Sequence, residues 1–482
     1  MEDEVSLENE NEKDLEVQDA EAEGGSESIP NESDTDVDCT DDTDASEPLD
    51  RRDFDPIRAI HHNQFCYVLD KYLDKTTGKR FFHVIGRMEG AFNHVVLVHV
   101  VTGARLYEYM IKVPGTGTER SWCEEDAYMM RNEFHLLQYI RAHTSVPVPE
   151  VIGFDDSLNN ELGAPYIVMK KLPGEAATLL WSEEHDHLNA DTPSQLLTQE
   201  RNTFLHSLAR CMVELGKLQF DKIGMPTFDP NNPNLAPKIG SYYQWHSDSK
   251  MIEIIDRQAS STTEEYLVPQ LDEDWNPMQY AGKYAPGTKA HEYHMWCMGI
   301  RKFLDIIFAT LPFTSSKLPD QEEESFVLRH PDLDLQNILT DADGNVTGII
   351  DWDNCLTAPR CVGCTAAVPI FLRRDWFPDF TVQRAPHMTW SLNHWRKIYA
   401  DALEEAGSPD VRYTCKSAMY QGIVAALYEG GGDAEDVVKK VMLSLEGTRL
   451  VDHDQFLTNL GKGWPDAEAY LKEEIAKLLA PS

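Results

Sequence analysis

No apolar run in the chain approaches the roughly 18 residues that a membrane-spanning helix needs. The N-terminus has neither the apolar core of a secretory signal nor the arginine-rich, acid-poor character of a mitochondrial presequence. Cysteine is sparse: nine residues, odd in number and scattered, do not make a disulfide framework and fit a reducing compartment. A soluble cytoplasmic protein is therefore expected. Positive charge is the other shortage. Lys and Arg total 43 against 82 Asp and Glu, a net charge of −39. A surface of that sign repels phosphates and excludes nucleic acid and anionic membranes as expected partners, while tolerating a cationic substrate. The shortage is worst in the first fifty residues, with 21 acidic side chains against Lys13 alone. Residues 1–52 hold too few large apolar groups to offset chain entropy, so a disordered acidic tail is expected there. A solubilising arm and a regulatory or partner-binding segment both fit that composition.

What the chain does have is concentrated between Phe326 and Asp353. An apolar strand leads into His330-Pro331-Asp332-Leu333-Asp334-Leu335-Gln336-Asn337. A second apolar stretch, the Asp343-Gly344 turn and Val346-Thr347-Gly348-Ile349-Ile350-Asp351-Trp352-Asp353 follow. Asp332, Asn337 and Asp351 thus fall at fixed points of a loop and a hairpin. Phosphoryl transfer needs such a set: a carboxylate to orient and deprotonate the attacking hydroxyl, and hard oxygen ligands for Mg²⁺ beside the nucleotide phosphates. A hairpin returns on itself, so Asn337 and Asp351 are expected to share one metal cluster with Asp332 beside it. A polar loop with chance carboxylates is the plain alternative.

Upstream, apolar residues alternate from Phe81 to Val101 around Gly86 and Gly90. Strand, glycine turn, strand is the form of a nucleotide lid, and also of an ordinary hairpin. A third strand, Leu106 to Val113, carries Lys112 between Ile111 and Val113. The stretch Cys123–Ala142 repeats Met130, Phe134, Leu137 and Ile140 at helical spacing and includes Glu133. Ala164–Gly174 reads as a buried strand that breaks into a linker. Residues 183–200 form a polar insertion. Helices are expected over Thr203–Leu218 and Tyr293–Leu311. Between them, residues 226–290, rich in Pro, Asn, Ser and Asp, are expected as a long irregular insertion that carries substrate choice. Cys361-x-x-Cys364, with Cys355 nearby, lacks a second Cys or His pair at finger spacing and lies among apolar residues, so packing is favoured over zinc. The remainder, from Asn393 to Leu479, reads as helices.

His-x-Asp-x-x-x-x-Asn followed by Ile-Ile-Asp resembles the catalytic and metal loops of the aminoglycoside phosphotransferase and choline kinase branch of the protein-kinase-like superfamily. The resemblance is to the fungal-type aminoglycoside phosphotransferase-like proteins, through Lys112-Val113-Pro114, Pro147-Val148-Pro149-Glu150-Val151 and Ile350-Asp351-Trp352-Asp353. It spans about Phe81 to Trp376 and implies a bilobal α+β fold. A small antiparallel-sheet N-lobe would cover 53–172 and a mainly helical C-lobe 173–482. It further implies ATP- and Mg²⁺-dependent phosphorylation of a hydroxyl on a small molecule. Asp332 would be the base, and Asn337 and Asp351 the metal ligands. Lys112, ion-paired with Glu133, would anchor phosphates under the Gly86 and Gly90 lid. Met169 would back the adenine pocket, and the backbone at Lys170 and Leu172 would meet the adenine edge. Pro331 stands where protein kinases have Arg, Trp352 and Asp353 replace a Phe-Gly pair, and no Ala-Pro-Glu follows. Those departures favour a small-molecule kinase over a protein kinase. A catalytically silent pseudokinase acting as a binding module is the alternative from another class. Phe92 and Asn93 stand where a third lid glycine would sit.

Overall fold

The computed structural model describes residues 49–481, apart from short stretches at 76–78, 182–192, 230–231, 233–234, 248–250, 275, 378–385 and 428–430. The acidic segment 1–48 and most of the 183–200 insertion lie outside the described residues. The described chain has the bilobal α+β arrangement. A five-stranded antiparallel sheet is built from β1 (Arg80–Glu89), β2 (Asn93–Thr102), β3 (Arg105–Pro114), β4 (Val151–Asp155) and β5 (Tyr166–Lys170), in the order β1-β2-β3-β5-β4. Most of the helices follow β5 in the chain. No helix among the described residues is long and apolar enough to cross a membrane.

Strict alternation explains β2. Val96, Val98 and Val100 are buried, and their odd-numbered neighbours Val95, Leu97 and His99 are only half-buried. The buried face meets Phe65, Val68 and Leu69 of α2 (His62–Tyr72), with Ile57 of α1 (Asp55–Ala59) beside them. Helix α3 (Glu124–His143) starts where Cys123 and Asp126 cap its first turn. Its buried residues Met130, Glu133, Phe134, Leu137 and Ile140 form one stripe against the sheet and the second lobe.

In the second lobe, Phe326–Arg329 pairs with Leu356–Ala358 and with Gln219–Phe220, while Ile338–Thr340 pairs with Val346–Ile349. The connecting turn is held by Asp341, whose Oδ1 accepts from the amides of Asp343 at 3.0 Å and Asn345 at 2.8 Å. Gly344 has φ 86°, and a Cβ there would meet the carbonyl oxygen of Glu200 at 2.6 Å, so two independent reasons require glycine.

Two expectations are corrected. The 226–290 insertion is not irregular: it carries the antiparallel hairpin Tyr242–Ser247/Ile252–Arg257 and the helix Thr263–Asp274. Its strands are polar on both sides, so their alternation does not stand out in the sequence. Gly86 is not at the lid turn either. It lies within β1 at a register shift after Val84, with open space where a Cβ would go.

Candidate active site

Between the sheet and the helical lobe lies a cleft of about 610 Å³. Gly90, Lys112, Glu133, Met169, Lys170, Leu172, Asp332, Asn337 and Asp351 all line it. Gly86 does not. Six segments of sequence therefore converge on one cavity, on the scale of a ligand site.

Strand pairing sets the upper wall. Lys112 on β3 stands between Val95 of β2 and Ile167 of β5. It is 7% exposed and donates to Glu133 Oε1 at 2.6 Å. It also donates to Asp353. Burial alone would lower the Lys112 ammonium, but the charges of Asp353, Glu133 and Asp351 outweigh it and hold the group protonated, above its usual range. Burial and the charge of Asp353 push Glu133 well above the usual carboxylate range, against the pull of Lys112. For Asp353 the balance reverses: burial is overcome by Lys112 and by hydrogen bonds, and the acid is held below its usual range. One of those bonds comes from the lid, where Asn93 Nδ2 donates to Asp353 Oδ2 at 2.7 Å. Asp353 thus ties lid, β3 and the lower loop together.

The lower wall is the loop after Phe326–Arg329. Asn337 is buried and its side-chain amide donates to both the carbonyl and Oδ2 of Asp332, each at 2.8 Å. Gln336 Nε2 adds a 3.2 Å contact to the same Oδ2, which leaves Asp332 Oδ1 without a partner among the described residues. His330 is the joint between the loops. Its Nε2 bonds the carbonyl of Ile350 at 2.9 Å, its Nδ1 accepts from the Asp332 amide at 3.2 Å, and its ring meets Trp352 edge-on at 4.8 Å. That pattern fixes a neutral imidazole with the proton on Nε2. Trp352, 1% exposed, donates Nε1 to the Ile349 carbonyl at 2.9 Å. The loop on either side of it turns through two left-handed residues, Asp351 at φ 66° and Asn354 at φ 58°, side chains that tolerate that region better than most. Loss of solvent and the charge of Asp353 push the Asp351 carboxyl up to about 6, with Lys112 opposing.

Burial holds the His330 imidazole down at about 4, against 6.5 in an open chain, although the Ile350 carbonyl opposes the shift. Above pH 6.5 neither the folded nor the unfolded chain protonates this ring. Below it, the unfolded chain takes up a proton that the folded one refuses, so stability is lost as pH falls from 6.5 to 4. The expected contribution of this one residue is about 3 kcal/mol. Urea unfolding at pH 7 and pH 4.5 checks it: His330→Asn should lose less stability between the two than the original chain does.

The hinge offers fewer backbone groups than expected. The Lys170 amide is spent on the Glu150 carbonyl at 2.9 Å, and Lys171 donates to Glu108 at 3.0 Å. Among the described residues, neither the Lys170 carbonyl nor the Leu172 amide has a partner in the loop and turn bonds. At the lid turn, Gly90 donates its amide to the Asn93 carbonyl at 2.9 Å, so that amide is already used.

Two residues carrying this geometry have no assigned role in the sequence reading, Asp353 and Asn93. The signal for Asp353 was an acid two positions past Asp351. Asn93 looked like the loss of a lid glycine. No group of three or more His, Cys, Asp or Glu side chains among the described residues is placed to cage a metal. A Mg²⁺ ion fits the donor chemistry nonetheless, because it takes one or two protein oxygens and fills the rest with phosphate and water. The amide oxygen of Asn337 and the Asp351 carboxylate are such oxygens. Cys355, Cys361 and Cys364 are buried, and burial pushes all three thiols up, away from the thiolate that binds zinc.

Among curated proteins, the chain is similar to a subtelomeric hrmA-associated cluster protein of Aspergillus fumigatus, 22% identical over 317 residues, which is 60% of each chain. It is also similar to a clavilactone A biosynthesis cluster protein of Ampulloclitocybe clavipes, 27% identical over 229 residues, 46% of this chain and 48% of that one. The chain thus spans less than two thirds of the length of these relatives. Among solved structures, an ethanolamine kinase of Plasmodium vivax superposes with a TM-score of 0.36 at 11% identity, covering 85% of this chain and 89% of that one. An aminoglycoside phosphotransferase of Alicyclobacillus acidocaldarius gives 0.35 at 9% identity, covering 82% and 93%. Superpositions that loose say nothing about substrate. The match to a family model is of another kind: the model described as the phosphotransferase enzyme family fits residues 97–383, more than half of the chain and the whole of the cleft's lower wall. That span runs from β2 through Lys112, Glu133 and the hinge to both loops, and the protein belongs to this phosphotransferase enzyme family.

Proposed function

We propose that the protein is an ATP-dependent kinase that phosphorylates a hydroxyl of a small molecule, with Asp332 as the general base. The observation that carries this reading is the convergence of Lys112, Glu133, Asp332, Asn337 and Asp351 on one 610 Å³ cleft. Adenine would sit against Met169 and bond the Lys170 carbonyl and the Leu172 amide. Lys112 is held protonated and is aimed by Glu133, so it can take the α and β phosphates without rotamer search. Asn337 and Asp351 would hold Mg²⁺, which when bound neutralises charge on the nucleotide phosphates.

Asp332 acts on the acceptor. Its Oδ2 is fixed by two amide donors, and its Oδ1 is left to accept the hydrogen bond of the incoming hydroxyl. The acceptor oxygen forms its bond to the γ-phosphorus as the bond from that phosphorus to the bridging oxygen of ADP breaks. The hydroxyl proton passes to Asp332, and ADP carries off the bonding pair. Trp352 and His330 keep the two loops in register during this exchange, because each bonds a backbone carbonyl of the Ile349-Ile350 strand end.

Thermal unfolding with and without ATP and Mg²⁺ tests the binding half of the reading. A ligand that binds only the folded state at a hundred times its Kd adds about 2.7 kcal/mol, a rise of several degrees in Tm. Asp351→Asn should remove most of the magnesium-dependent part of that rise and leave the metal-free chain folded. No rise with the original chain would refute nucleotide binding. A rise without ADP release on any hydroxylated panel would favour the silent binding module instead.

A further inference from the structure

A strap of residues 49–54 runs along the small lobe ahead of α1. Arg51 anchors it to α3 and to the insertion hairpin. Its guanidinium donates to Asp126 Oδ1 at 3.1 Å and to the Ser121 carbonyl at 2.8 Å, and lies 4.6 Å over the ring of Trp245. The Asp53 amide donates to the Gly115 carbonyl at 2.8 Å, just past β3. Phe54 packs so closely there that a Cβ on Gly115 would stand 2.6 Å from its ring. Between these anchors Arg52 turns to the lid. Its Nη1 donates to the Ala91 carbonyl at 2.7 Å, and its guanidinium lies 5.3 Å from the centre of the Phe92 ring. Asp50 grips the same guanidinium, accepting Nε and Nη2 each at 2.8 Å, which fixes its plane and matches its charge. Arg52 therefore acts on the lid backbone, not on a ligand's charge.

The three carbonyls of the lid tip are all engaged. Ala91 accepts from Arg52, Phe92 from the Gly115 amide at 2.8 Å, and Asn93 from the Gly90 amide at 2.9 Å. The Phe92 amide, by contrast, has no partner among the described residues. A trans peptide holds its C=O and N–H on opposite edges of one plane. The bond to Arg52 thus sets the direction of the Phe92 N–H along with that of the Ala91 carbonyl. Ala91 and Phe92 line the cleft and Arg52 does not, so the carbonyl is held from outside and the N–H is turned toward the cavity. An anion is attracted by N–H dipoles and repelled by C=O dipoles, so this plane decides how the tip meets a phosphate. Phe92, 68% exposed, serves as the shelf on which the guanidinium rests. Exposed ion pairs and cation–π contacts add little to stability, so the weight of Arg52 falls on lid geometry rather than on folding. Strap and tip both precede residue 97, where the match to the family model begins.

We propose that Arg52 is a positioning residue for the nucleotide phosphates, acting through the Ala91–Phe92 peptide. By holding the Ala91 carbonyl outward it presents the Phe92 amide to the phosphates and keeps the peptide from flipping a carbonyl toward them. The inference rests on the kinase reading above and adds to that site a group from a segment the family model does not reach. It also accounts for a phenylalanine at the tip of the lid: the ring is a seat for Arg52.

Titration calorimetry on the full chain tests this with two probes, adenosine and a non-hydrolysable ATP analogue with magnesium. Both fill the adenine site, and only the second carries phosphates to the lid. Arg52→Met keeps an apolar stem on Phe92 and removes the donor. It should weaken the ATP analogue about tenfold, the worth of one charge-assisted hydrogen bond, and leave adenosine within twofold. Arg52→Lys keeps a cation that can reach the Ala91 carbonyl but loses the fork to Asp50, so it should weaken the analogue about threefold. Thermal unfolding without ligand should be the same for all three chains, and if Arg52→Met fails to fold, the Arg52→Lys chain decides. Unchanged binding of the analogue by the variants, or equal weakening of analogue and adenosine, would overturn the assignment, since a strap that merely supports the lobe does not distinguish the two probes. An original chain that binds neither probe would instead overturn the kinase reading.

Discussion

Asp332→Asn should lower phosphoryl transfer by roughly a thousandfold, within the range a positioned general base supplies, and leave the magnesium-nucleotide thermal shift intact. The substitution is nearly isosteric, and the geometry tells which functions survive it. The new side-chain carbonyl can still accept from Asn337 Nδ2, which bonds Asp332 Oδ2 at 2.8 Å, so the loop keeps its form. Its amide nitrogen replaces the oxygen that has no partner in the loop and cannot take a proton from an alcohol. The metal ligands proposed above, Asn337 and Asp351, are not touched directly. Stopped assays of ADP release beside thermal unfolding separate the two effects. A variant with full activity would remove Asp332 from the chemistry, and a variant that also lost the nucleotide shift would place it among the binding groups.

The second large effect concerns folding before chemistry. Lys112→Met should destabilise the chain by about 3 kcal/mol, because it leaves two carboxylates facing one another without their cation. Breaking a buried pair by removing one partner costs about 3–5 kcal/mol. The lower end applies because the Asp353 side chain is 31% exposed and water can reach it. The sign of the pH dependence is a second signature. Without Lys112, Glu133 rises further above its unfolded pKa, so the folded variant binds a proton that the unfolded one releases. Its stability therefore improves as pH falls from 7 toward the unfolded value near 4.5, and the deficit against the original chain narrows. Adding Glu133→Gln should recover part of the loss at pH 7. Urea unfolding of the three chains at pH 5 and 7 measures both effects, and a deficit that widens at pH 5 would contradict the charge argument. The variant should also lose the nucleotide shift if Lys112 anchors the phosphates as proposed.

These two residues were legible for different reasons. Asp332 and Asn337 are five positions apart on one loop, and local chain geometry alone brings them within hydrogen-bond reach. Lys112 and Glu133 are 21 residues apart, and the strand-then-helix pattern around them was enough to pair them. The Asn93–Asp353 bond joins residues separated by 260 positions and was not legible. Nothing local to either residue specifies it, since it depends on how the two lobes close. The insertion hairpin failed for a related reason. Its strands expose polar groups on both faces, so period two in hydrophobicity is weak, and pairing in register is what makes them strands. Gly86 was misplaced because two glycines four residues apart leave the position of a turn open, and the pairing of β1 with β2 decided it.

The residues themselves determined the membership of the phosphotransferase family, the sheet-then-helices order and which side chains of the two loops meet, because each is written in short spacings that chain geometry converts directly into proximity. Only the tertiary structure decided that Asp353 shares Lys112 with Glu133 and that the Lys170 and Gly90 amides are already spent. Those features come from contacts between segments far apart in sequence, where packing and register, not composition, choose the neighbours.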